Sequence, residues 1–171
     1  MPIVACDLPD GTAIEQAMLD HADFRDSHRV RLTRTDRLVT DLFLAIFGHR
    51  PWWMTLALLL RHRFGAAIGL TATPSAELMR VTATPAVGGT IGGWPVFVLN
   101  DQELVAGRDN AHLDFRLSIL TEHQANGTDL IVSTVCRTHN RFGRIYLAVI
   151  APFHRFGIRL LIRRALAGGR L

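Results

Sequence analysis

Residues 111–139 read AHLDFRLSILTEHQANGTDLIVSTVCRTH, two alternating stretches on either side of an Ala-Asn-Gly turn. Leu113, Phe115, Leu117 and Ile119 fall on one side of the first stretch, and His112, Asp114, Arg116 and Ser118 on the other. A period of two is the mark of a strand whose faces meet different surroundings. Ala111–Glu122 and Asp129–His139 are therefore predicted to pair as an antiparallel hairpin around Ala125-Asn126-Gly127. Centring the pair on that turn sets His112 opposite His139 and Asp114 opposite Arg137.

Working outward, Trp94–Leu99 and Gln102–Gly107 form an earlier hairpin across Asn100-Asp101. Upstream, Asp23–Thr33 alternates again: Phe24, Asp26, His28, Val30 and Leu32 share one parity, and Arg25, Ser27, Arg29 and Arg31 the other. Thr35 reads as the N-cap of a helix carrying Leu38, Val39, Leu42, Phe43, Ile46 and Phe47, with Gly48 as its stop. Pro51 opens a second short helix. Residues 65–93 are rich in Gly, Ala, Thr and Pro and predict one strand and a loop. Downstream, Asn140 precedes a helical pattern that runs to Gly168, interrupted by Pro152. Phe153, Phe156, Gly157, Leu160 and Leu161 define the helix face expected to pack on the sheet, and Arg155, Arg159 and Arg163 define another. Residues 1–22 lack periodicity and read as a leading arm to one domain spanning 23–171. Strands in succession, with helices before and after, give an α+β domain.

The composition fits that reading. A chain of 171 residues, 49% hydrophobic and 20% charged, builds a core without a metal or disulfide staple. Cys6 and Cys136 are far apart and form no CxxC pair, and the N-terminus has no secretory pattern, so a cytoplasmic protein is expected. The longest uncharged stretch, Val81–Asn100, is broken by prolines and glycines, so no transmembrane segment is expected. Net charge is +4 and every cation is arginine, spread along the chain. No nucleic-acid motif or phosphate-binding glycine loop accompanies those arginines, so no nucleic-acid partner is expected.

The run from Gly107 to Ser118 containing His112-Leu113-Asp114-Phe115-Arg116, followed by Thr138-His139-Asn140 through Tyr146 and by Pro152-Phe153-His154, resembles the bacterial domain-of-unknown-function family 2867. The resemblance covers roughly residues 20–168 and carries an assignment to the START-like, helix-grip (SRPBCC) superfamily. It implies a curved antiparallel sheet around the long C-terminal helix, with two short helices after the first strand. It also implies an apolar cavity between sheet and helix, of the kind in which relatives bind lipids, sterols or polyketides.

The residues that could serve such a site are His112, Asp114, Arg116, Arg137, His139 and Tyr146. Five of them, all but Tyr146, lie on the polar side of the hairpin, in parallel rather than converging, which suits reading a ligand head better than a Ser-His-Asp relay. Arg116 or Arg137 would meet an anionic end. His112, Asp114 and His139 share a face, but Arg116 and Arg137 oppose a cation there, so no metal and no cofactor are expected. The expected partner is a small apolar or amphipathic molecule, with an anionic end as one form. The alternatives are an enzyme using His112, Asp114 or Tyr146 for proton transfer on a carbonyl compound, and a docking module whose basic helix contacts a membrane or protein.

Overall fold

The computed structural model describes residues 1–32, 36–49 and 86–171. The central hairpin forms as the alternation requires: β6 (Leu113–Gln124) pairs with β7 (Gly127–Thr138). Asp114 stands opposite Arg137, and the His139 amide donates to the His112 carbonyl at 3.0 Å. The turn is tighter than predicted, because Gln124 already pairs with Gly127, whose φ of 136° suits glycine.

The other strands extend this hairpin on both sides. β1 (Val4–Cys6) pairs with β2 (Phe24–Arg31), and β2 pairs with β7. On the far side β5 (Glu103–Asp109), β4 (Trp94–Leu99) and β3 (Thr90–Ile91) follow β6, so the antiparallel order is β1-β2-β7-β6-β5-β4-β3. Between β4 and β5 the Asn100 side chain accepts from the Gln102 and Glu103 amides at 2.9 and 2.7 Å, which folds the turn. The register shifts between Val96 and Val98, a bulge that sends both Phe97 and Val98 to one face.

One face of this curved seven-stranded sheet carries the main core. Leu104, Ala106, Leu117, Ile119, Leu130, Val132 and Val30 meet α2 (Val39–Phe47) and the C-terminal helix α3 (Arg141–Ala167). The outer bounds of α3 match the sequence reading, but Pro152 lies inside one continuous helix rather than interrupting it. The Asn140 side chain caps it by accepting from the Gly143 amide at 2.8 Å, and Gly168 ends it. Gly143 also lets the helix approach the sheet: a Cβ there would sit 2.0 Å from the His112 carbonyl oxygen. The predicted second helix from Pro51 and residues 65–85 lie outside the described residues, as does Thr35. α2 itself starts at Val39 with an extended Leu38 as its N-cap, later than a cap at Thr35 requires.

The second face is covered as well. Residues 7–22 fold over it, and α1 (Gln16–Asp20) brings Met18 with Ile14 onto Val105 and Val135. The arm is thus an edge strand plus a short helix.

The helix phase differs from the expectation. Gly157 and Leu161 are buried with Ile158, Ile162 and Ala165, but Phe153 and Phe156 are 71% and 64% exposed. The helix is apolar on opposite sides. The side with glycine, alanine and β-branched residues is the one that approaches the strands closely, which leaves both phenylalanines facing outward.

Candidate functional site

Three charged side chains are buried on the arm side of the sheet, and each is fully engaged. Glu103 accepts from the Thr12 hydroxyl and Ala13 amide, both at 2.6 Å, and from the Ser118 hydroxyl at 2.5 Å. Asp129 pairs with Arg31 at 2.5 Å and Arg29 at 3.2 Å. Arg116, 5% exposed, pairs with Asp109 at 2.6 Å and Glu15 at 3.1 Å, donates to the Phe115 carbonyl, and lies 3.6 Å over the Phe97 ring. A buried guanidinium satisfied this way is a structural clamp between sheet and arm.

Five of the six residues singled out from the sequence divide into three settings, and the sixth, Arg137, is half-buried opposite Asp114 on β7, outside all three. Arg116 is in that clamp. Asp114 and His139 meet each other, Oδ2 to Nε2, at 2.9 Å. The register that sets Asp114 opposite Arg137 is present, but it makes no ion pair between them: the carboxylate turns along the strand end to the imidazole. His112 and Tyr146 pack edge-to-face, ring centres 5.4 Å apart, beside Phe142 at the start of α3. The helix-to-sheet junction therefore joins His112 to Tyr146, while Arg116 lies apart from both.

A different constellation sits on the main-core face, in the seam between β2 and α3. Asp26 and His28 are two residues apart on β2, so both point toward the helix with Phe24 and Val30. His28 is 2% exposed, and its Nδ1 stands 3.6 Å from Asp26 Oδ2, beyond hydrogen-bonding distance. His154 enters from α3, its ring edge-on to Phe24 at 5.7 Å. Arg155 approaches Asp26 Oδ1 at 3.8 Å and lies over Phe24. Among the described residues, the buried side-chain atoms with no hydrogen-bond partner are three: Asp26 Oδ2, His28 Nδ1 and His154 Nε2. An unpaired buried polar group costs roughly 1–3 kcal/mol, so three in one seam are a concentrated expense.

The electrostatics make both histidines neutral acceptors or donors. Burial pushes the His28 pKa below the ordinary 6.5, an effect opposed by Asp26 and reinforced by Arg159 and Arg155. Burial does the same to His154, again opposed by Asp26 and reinforced by His28 and Arg155. No cluster of three His, Cys, Asp or Glu side chains among the described residues is arranged to hold a metal ion. Cys136 is buried, which raises its thiol pKa to about 12 and makes it unreactive.

A family model of proteins of unknown function, DUF2867, matches residues 18–160, most of the chain. The chain belongs to the DUF2867 family. No curated protein and no solved structure matches it significantly. The stretch matched to DUF2867 contains Asp26, His28 and His154, and also the six residues discussed above, whereas Thr12, Ala13 and Glu15, which meet Glu103 and Arg116, precede it. In this DUF2867 domain the seam residues were missed in the sequence, although one signal was present. Asp26 and His28 share their parity with Phe24, Val30 and Leu32, so two ionisable groups were placed on an apolar face.

Proposed function

We propose that the protein binds a small apolar or amphipathic molecule between the sheet and α3, with its polar end held by Asp26, His28 and His154. The observation that carries this reading is the set of three buried polar atoms without partners among the described residues, where the other buried charges described, Glu103, Arg116 and Asp129, are all paired. The strand order supports a helix-grip architecture: β2 closes on β7, β3 to β7 run as a meander, and the last helix lies across one face.

The chemistry of the seam selects the ligand's polar end. A carboxylate would be repelled by Asp26. Of the two side chains expected to receive it, Arg116 is spent on Glu15 and Asp109, and Arg137 has the opposite strand parity to the core-facing Leu130 and Val132. A hydroxyl both donates to Asp26 and accepts from a neutral imidazole, so an apolar alcohol fits better than an apolar acid. Thermal-shift titration with dodecanol and with dodecanoate tests this. Dodecanol should raise the melting temperature of the wild type, dodecanoate should do so less, and His28→Phe with His154→Phe should abolish the gain. No stabilisation by dodecanol would remove the reading.

Proton transfer on a bound carbonyl compound is the second reading, favoured by the Asp26–His28 approach at 3.6 Å. A neutral imidazole beside a carboxylate is the equipment of a general base.

A further inference from the structure

We propose that the outward face of α3 docks the domain on an anionic lipid surface, lying in the interface rather than crossing it. Phe142, Ile145, Val149, Phe153 and Phe156 are all exposed. At 100° per residue they fall within one narrow stripe, opposite the buried Ile158, Leu161, Ile162 and Ala165. None of the described residues covers this stripe. A run of large apolar side chains in solvent marks an interaction surface.

Charge decides which partner. No Asp or Glu follows Asp129 in the chain, and α3 carries Arg141, Arg144, Arg155, Arg159, Arg163 and Arg164, all of them exposed. Arg141 and Arg159 line one edge of the stripe, Arg164 lines the other and Arg163 continues its line, while Arg144 and Arg155 lie further round toward the sheet. This is the arrangement of a helix that sinks its apolar side chains among lipid tails while its edge cations meet acidic headgroups. A second copy of the chain docked face to face would bring these cations together with no acidic partner on either helix, so repulsion disfavours self-association there.

The helix is long and apolar enough, by length and composition, to cross a membrane. Two features hold it at the surface instead. The uncharged run from Ile145 to His154 is only ~15 Å long, half of a hydrocarbon core. The opposite face is seated on the sheet through Ile158, Leu161 and Ile162, and leaving it would dismantle the core.

Co-sedimentation of the full chain with phosphatidylcholine vesicles, with and without about a third phosphatidylglycerol, tests the inference. Binding is expected to the phosphatidylglycerol vesicles and to weaken as salt is raised. Phe153→Ser with Phe156→Ser should weaken it about ten-fold or more, and Arg141→Gln with Arg163→Gln should weaken it mainly at low salt. Melting temperatures near the wild type would show that both double variants remain folded. Equal binding to both vesicles, no binding at low salt, resistance to alkaline extraction, or a dimer abolished by the phenylalanine variants would each overturn the proposal. None of these readouts involves Asp26, His28 or His154, so the ligand reading stands or falls separately.

Discussion

At the scale of single residues, the contrast between Arg116 and His28 organises the chemistry. Both are buried, but Arg116 has two carboxylates, a carbonyl and an aromatic face, while His28 Nδ1 has no hydrogen-bond partner. Arg116→Met should therefore act on stability: the expected loss is about 1–3 kcal/mol, moderated because Glu15 and Asp109 can return to water. Urea denaturation measures it, and an unchanged midpoint would show that the clamp contributes nothing. For the histidines the sign follows from linkage. Both folded-state pKa values are lowered from 6.5, so the unfolded chain binds protons more readily. Their contribution to stability is complete above pH 6.5 and is lost as pH falls from there through the lowered folded-state values. The melting temperature of the wild type should fall over that range, and His28→Phe with His154→Phe should flatten the fall. An identical acid slope in both proteins would contradict the burial of neutral imidazoles.

At the scale of elements, what was legible in the sequence had a repeated pattern or a strong end signal. Twelve-residue strands with period-two alternation around a glycine turn disclose their register, and Asn140 with Gly168 brackets α3. A three-residue β1 and a five-residue α1 are too short for periodicity to show, so the arm that buries Arg116 stayed hidden. Register places Asp114 opposite Arg137, but rotamers choose His139, and alternation carries no rotamer information. The phase of α3 was ambiguous because its sequence is apolar on two sides. The structure resolves it in a testable way. Phe156→Asp, on the exposed side, should change stability by about 0.5 kcal/mol or less. Ile162→Asp, fully buried, should prevent cooperative folding, because a carboxylate would enter the core without a partner. Circular-dichroism melts of the two variants check this, and a reversed order would return the helix to the phase first expected.

At the scale of the whole molecule, the sheet is sandwiched. The arm and α1 close one face with satisfied ion pairs, and α2 and α3 close the other with an apolar core interrupted by Asp26, His28 and His154. The two faces therefore differ: buried charges are paired on the first, and the second keeps three buried polar atoms without partners. The same α3 presents its arginine-flanked stripe outward, so ligand seam and docking surface lie on opposite sides of one helix. The central claim is that the seam holds a ligand, and non-denaturing mass spectrometry of the freshly purified chain tests it most directly. The expected result is a population carrying a small neutral apolar molecule that is lost in His28→Phe with His154→Phe. Only the bare chain mass in the wild type, before and after incubation with dodecanol, would contradict it.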